Sequence, residues 1–200
     1  MASIRNVEDR ILDAARACVE AFGVRRTTLT DVARRAGVSR PTVYRRWPDA
    51  TALVADLLTR ELRRILADQG DGSGGPAGED VRARLVRHAA GVARALLAHP
   101  LFVRIVDTEP ELLATYTFQR LGTSHRAALE LVEPVVAEGQ RDGSVRAGDP
   151  AVLARLVLVT VQGTVTSRRL FADVTDESGL VDELAALLDG YLRPPNQESP

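Results

Sequence analysis

Gly37 is the residue that most constrains this chain. It stands between two short stretches whose apolar residues repeat at helical spacing: Val32, Ala33 and Ala36 before it, Val43 and Trp47 after it. A glycine between two such stretches supplies the positive φ of a tight turn. The small alanines let two short helices cross closely. Thr28, with Asp31 three residues on, reads as a capping box for the first helix. Ser39 stands at the N-cap of the second, whose first positions are Arg40 and Pro41; Pro is accommodated there because amides of the first turn lack an intrahelical partner. Val43 and Trp47, four residues apart, share the inward face. Val38 fills the gap at the turn. Arg40, Thr42, Arg45 and Arg46 are left on the other faces. The segment Thr27 to Trp47 therefore reads as a helix-turn-helix.

The charge distribution is consistent with a polyanion on its outer side. The whole chain has a net charge of −1, yet residues 1–50 hold ten Arg against six acids, and 51–200 hold sixteen Arg against twenty-one acids. A basic N-terminal quarter on an acidic body fits a nucleic-acid-facing surface. A recognition helix enters the major groove with its N-terminal residues at the base edges. Arg can donate twice to guanine and Thr can meet a thymine methyl. Hydroxyls of Thr28 and Tyr44 and the charge of Arg46 suit phosphates.

The rest of the chain reads as helical, with no strand-like alternation of useful length. Val7, Ile11, Ala15, Cys18 and Phe22 form one face of a first helix that stops at Gly23. Leu53, Leu57, Leu58, Glu61, Leu62 and Ile65 are in register on a longer helix beyond Pro48. The run Gly70 to Gly78 is a loop. Val81 to Ala98 follows as a helix with Leu85, Val92 and Leu96 inward, and a short helical piece runs from Leu101 to Val106. Thr108 to Glu111 reads as a capping box opening a helix to about Glu138, bent at Pro134. Asp149 caps a helix from Ala151 to about Phe171, and a last one spans Asp176 to Leu192. The expected fold is all-α with about nine helices. A DNA-binding domain over 1–50 would precede a helical effector-binding and dimerisation domain over 51–200.

Residues 7–58 resemble the TetR family of bacterial transcription regulators. The resemblance is carried by Ile11-x-x-Ala14-Ala15, Phe22-Gly23, Thr27-Thr28, Asp31-Val32-Ala33-x-x-Ala36-Gly37-Val38-Ser39 and Pro41-Thr42-Val43-Tyr44-x-x-Trp47-Pro48. It implies that Thr28, Thr30, Arg40, Pro41, Thr42, Tyr44, Arg45 and Arg46 face DNA. The chain departs from the pattern at Ala50, where many members carry a phosphate-gripping Lys. Past residue 58 the likeness is one of layout alone, and effector binding there is an analogy from architecture.

Within the C-terminal part, Phe102, Ile105, Tyr116, Phe118, Leu121, His125, Gln162 and Thr166 are candidates to line an effector pocket; core packing is the competing role for each. His125 reads either as a satisfied core or interface histidine or as a polar anchor. Cys18 reads as a core thiol, and one cysteine excludes an intrachain disulfide. The helices Ala151–Phe171 and Asp176–Leu192 are apolar on more than one side, which suits pairing with a second copy. The function expected is a ligand-responsive repressor that binds a near-palindromic operator as a homodimer. The effector would be a small hydrophobic or amphipathic molecule. The alternative is an activator or constitutive DNA-binding protein without an effector, with a helical enzyme behind both. No catalytic residue, metal or cofactor is expected, because no nucleophile elbow, phosphate loop, metal cluster or Cys-His signature is present. A cytoplasmic location with no membrane partner is expected from the lack of a signal-like N-terminus and the shortness of the apolar runs.

Overall fold

The computed structural model describes residues 2–70, 76, 78–108 and 123–195. Among them are nine α-helices and no strand: α1 Ala2–Phe22, α2 Leu29–Ala36, α3 Arg40–Tyr44, α4 Ala50–Asp68, α5 Val81–Ala98, α6 Pro100–Thr108, α7 Thr123–Arg141, α8 Pro150–Thr166 and α9 Glu177–Leu192. A 3-10 turn, Arg168–Phe171, follows α8. The chain packs as two compact units. The first comprises 1–62 and returns at 99–108; the second comprises 63–98 and 123–195. The packing boundary thus lies inside α4, further along the chain than residue 50.

The first unit is built on α1. Ile11, Leu12, Ala14, Ala15, Cys18 and Val19 are buried along it against Leu29, Val32 and Ala33 of α2. Phe22 was expected on this stripe, but it is exposed. Gly23, with φ 81°, ends the helix there, and Val24 beyond the turn takes the core position instead. The Gly23 amide closes on the Val19 carbonyl at 2.9 Å. Thr27, also buried, donates its hydroxyl to the Gly23 carbonyl at 2.8 Å and fixes the turn into α2. Leu53, Val54, Leu57 and Leu58 of α4, with Leu101 and Ile105 of α6, complete this core. Cys18 is inside it, and burial pushes its thiol above the usual pKa, which suits a core thiol.

In the second unit α5 is enclosed on several sides, packing against α7, α8 and α9. Its buried arc is accordingly wide. Leu85, Val92 and Leu97 are fully inside, while Leu96 is half-buried against the same core. Helix α7 contains Pro134. It ends in the turn at Gly143, φ 79°, where the Ser144 amide bonds the Asp142 carboxylate at 2.8 Å. Asp149 caps α8 by accepting from the Ala151 amide at 2.9 Å. That helix stops at Thr166, short of Phe171, and the chain tightens into the 3-10 turn. Arg146 ties the α7–α8 connection to the end of α9. Its Nε donates to the Tyr191 carbonyl at 2.9 Å, and its guanidinium lies 4.4 Å from the centre of the Tyr191 ring.

The capping box expected at Thr108 does not form from that residue. Thr108 is the last residue of α6, and its hydroxyl donates back to the Arg104 carbonyl at 2.8 Å. The rest of that expectation lies outside the described residues. Among the described residues no single helix is long and apolar enough to cross a membrane.

Candidate nucleic-acid interface

The turn between α2 and α3 forms at Gly37, φ 63° and ψ 37°. The Gly37 and Val38 amides close on the carbonyls of Arg34 and Ala33 at 3.3 and 3.1 Å, satisfying the end of α2. Thr28 caps α2 by accepting from the Asp31 amide at 3.1 Å. Its hydroxyl proton goes to the Asp31 carboxylate at 2.6 Å. While that bond holds, Thr28 has no proton for a phosphate, which can only accept. Arg34 bonds the other Asp31 oxygen at 2.8 Å.

Ser39 occupies the N-cap of α3 but does not cap it with its side chain. The helix is five residues long, and the Thr42 amide already bonds the Ser39 carbonyl at 3.0 Å. The Ser39 hydroxyl therefore pairs with the Thr42 hydroxyl at 2.8 Å. Trp47 lies beyond the helix end rather than within it. Its amide still bonds the Val43 carbonyl at 2.9 Å, so Val43 and Trp47 both reach the core, the latter 2% exposed. The indole N–H donates to Asp56 of α4 at 2.9 Å, as a buried indole needs a partner. This anchoring leaves Arg40, Pro41, Tyr44 and Arg45 exposed on one short helix and its continuation, with Thr30 and Thr42 half-buried beside them. Arg46 is exposed too, but it is held: it pairs with Glu8 of α1 at 3.3 Å and lies 5.9 Å over the Trp47 ring.

A charge cluster in the same unit was not anticipated from the sequence. Glu61 of α4 is 2% exposed. It accepts from Arg16 of α1 at 3.2 Å and from Arg60 at 2.8 Å, and His99 stands 3.7 Å away. Arg60 also pairs with Asp13 at 2.8 Å. Burial, reinforced by Arg16, lowers the His99 pKa below its ordinary value against the opposing pull of Glu61. The buried carboxylate is thus matched by arginines, with His99 beside it. The only warning in the sequence was an acid in register with the leucines of α4.

The pocket candidates separate. Ile105 is fully buried in the core of the first unit; Phe102 packs against that core and meets the His99 ring edge-on at 5.2 Å. His125 and Gln162 are brought together at 3.1 Å, joining α7 to α8, and Thr166 donates to the Gln162 carbonyl at 2.9 Å. Tyr116, Phe118 and Leu121 lie outside the described residues. The second unit holds an apolar cavity of about 160 Å³, walled by Leu85, Val92, Ala128, Val132, Leu158 and Val161 among others. Phe102, Ile105, His125, Gln162 and Thr166 are not on its wall.

Residues 11–57 match the family described as bacterial regulatory proteins, tetR family. The chain is 40% identical over 183 residues to an HTH-type transcriptional regulator of Mycobacterium tuberculosis, covering 92% of this chain and 93% of that one. It is 30% identical over 161 residues to the HTH-type transcriptional regulator AqdR of Rhodococcus erythropolis, covering 78% and 71%. Its fold is similar to that of a TetR-family transcriptional regulator from Rhodococcus sp., with a TM-score of 0.69 at 23% identity over 93% and 98% of the two chains. It is similar also to the transcriptional regulator FadR from Bacillus subtilis in complex with stearoyl-CoA, with a TM-score of 0.66 at 16% identity over 92% and 98%. A turn fixed by Gly37, an outward recognition helix pinned by Val43 and Trp47, and these relatives agree: the chain belongs to the TetR family and is a DNA-binding transcription regulator.

Proposed function

We propose that the chain is a ligand-responsive repressor that binds a near-palindromic operator as a homodimer. The observation that carries this reading is the exposed row Arg40, Pro41, Tyr44 and Arg45 above the buried pair Val43 and Trp47. Arg45 reads a guanine, and Arg40, Thr42 and Thr30 complete the base-side contacts. Tyr44 grips phosphate. Thr28 and Arg46 join it by trading Asp31 and Glu8 for phosphate oxygens. Two such heads meet half-sites about 34 Å, or a multiple, apart.

A second copy is supported by the outer face of α8 and α9. Val152, Leu156 and Val159 of α8 and Leu187 of α9 are exposed, Val159 to 61%. A Cβ added at Gly163 or Gly190 would meet no atom within 4 Å, so both glycines leave room for a close helix approach. Exposed apolar side chains along two neighbouring helices mark a protein interface. The 160 Å³ cavity is the candidate effector site, and the complex of Bacillus subtilis FadR with stearoyl-CoA supports small-molecule control in this fold.

The test is a gel shift on DNA flanking the gene, with and without cell extract. Retention of one specific duplex that the extract releases is the expected result. Retention that no extract alters would favour an activator or constitutive binder, and the same weak retention of every duplex across a salt series would refute operator recognition.

A further inference from the structure

We propose that the turn between α1 and α2 is a phosphate grip: Arg26, carried at its corner, binds a backbone phosphate of the DNA beside the one that Thr28 meets. The inference rests on the reading of the head that sets Thr28 against phosphate. Rigidity comes first. The Thr27 amide bonds the Val24 carbonyl at 3.0 Å, which closes a four-residue β-turn with Arg25 and Arg26 as its corner residues. Both ends of the turn are anchored. Val24 is 6% exposed and Thr27 4%, and the Thr27 hydroxyl donates to the Gly23 carbonyl at 2.8 Å. The two corner arginines are exposed. The turn cannot swing away from α2 without taking Val24 out of the core and Thr27 out of its hydrogen bond.

Availability comes second. The exposed arginines of the head divide into two sets. Arg34 is held by Asp31 at 2.8 Å and Arg46 by Glu8 at 3.3 Å. Arg26, Arg35, Arg40 and Arg45 have neither a hydrogen bond nor an ion pair among the described residues. Arg40 and Arg45 stand on the base-facing row of α3. Arg35 is at the far end of α2, where its charge acts on the Cys18 thiol of α1. Arg26 alone of the four precedes the N-cap of α2. A phosphate at Arg34 or Arg46 must first replace a carboxylate, whereas a phosphate at Arg26 replaces only solvent.

Reach comes third. Two residues of chain span at most about 7 Å, so Arg26 starts within that distance of Thr28, and its long side chain extends the range. When a helix-turn-helix docks, its first helix crosses the DNA backbone while the second enters the groove. The approach to α2 therefore runs beside phosphates, and the guanidinium fork matches their oxygens.

The experiment measures the affinity of the full chain for DNA flanking the gene and for a random-sequence duplex across a salt series. Four chains are compared: the unaltered one, Arg26→Gln, Arg26→Lys and Arg94→Gln. Arg94 is an exposed arginine of α5 in the second unit, also without a partner among the described residues. In Arg26→Gln the steepness of log affinity against log salt should fall by about one, the share of one phosphate contact, on both duplexes. Arg26→Lys, which keeps the charge, should restore it, and Arg94→Gln should leave it unchanged. An unchanged slope in Arg26→Gln overturns the proposal. An equal fall in Arg94→Gln overturns it too, by assigning the effect to net charge, as does a loss confined to the flanking duplex, which would make Arg26 a base reader. A slope that lysine does not restore also overturns it. Arg26→Ser takes the place of the glutamine variant if circular dichroism shows that variant unfolded. If the unaltered chain prefers no duplex, operator recognition fails, while the slope on random duplex still decides the role of Arg26.

Discussion

The two units expose opposite chemistry. On the first, the side chains that rise above a buried base are Arg40, Arg45 and Arg46 around Tyr44. On the second, the outer face of α8 and α9 offers Val152, Leu156, Val159 and Leu187, and the connection between the helices adds Leu170, 77% exposed, and Val174. Each unit has its own buried apolar core, so the difference lies in what is left outside. An arginine row left in water suits a polyanion, because its charges displace the counterions condensed on the phosphates, and these are released to solution. A leucine and valine row left in water suits another protein surface, because burying it removes apolar area from solvent. The first surface is the one that suits DNA, and the second is the one proposed to meet a second copy.

The most severe way to break the second half of that contrast is Leu156→Glu. A carboxylate in the middle of an apolar interface has no counterion there, and the dimer should dissociate; an unchanged dimer mass in light scattering would refute this placement of the interface. The first half depends on its buried base, so Trp47→Ala should lower stability by about 3–5 kcal/mol through lost volume, with the unpaired Asp56 carboxylate turning to solvent. Chemical denaturation reads the loss, and a cost below about 1 kcal/mol would show that the recognition helix is pinned by something else. Arg45→Ala should leave stability alone and weaken the specific operator by about 1–3 kcal/mol. Equal weakening on random duplex would move Arg45 from base to phosphate.

The smallest expected effect is a pH dependence from His99. Its folded-state pKa is lowered by burial, so the unfolded chain takes up the proton first as pH falls. The stability contributed by neutral His99 is present above the unfolded value near 6.5. It is lost as pH drops from there to the lowered folded value, and levels off below. His99→Gln should flatten this part of the stability profile measured by thermal melting, and an unchanged slope would assign it to other groups.

The sequence told the two regions apart unevenly. In the head, Thr28, Gly37, Val43 and Trp47 act where the sequence places them, since a cap, a left-handed turn and an i, i+4 pair are decided by neighbours within a turn or two. Ser39 does not cap α3 with its side chain, although its position suits a cap. Its hydroxyl had a nearer partner in Thr42, and a five-residue helix leaves little for a cap to satisfy. In the body the doubly apolar character of α8 and α9 was visible, and the cavity wall was not. Ile105 and Phe102, large and apolar in the middle of the chain, suited either a pocket or a core, and only the packing of α6 against α1 placed them in the head's core.

By itself, then, the sequence determined the helix-turn-helix, the side of it that faces outward, and the all-helical plan, because each follows from spacing and backbone preference over short distances. Tertiary structure alone decided three other things. Glu61 found its arginine 45 residues away on α1. The residues of α6 joined the head's core. The apolar pocket formed among α5, α7 and α8, with the Arg84–Glu138 pair at its wall. Each of these joins residues far apart in the chain, and no local preference of either residue specifies which distant surface it will meet.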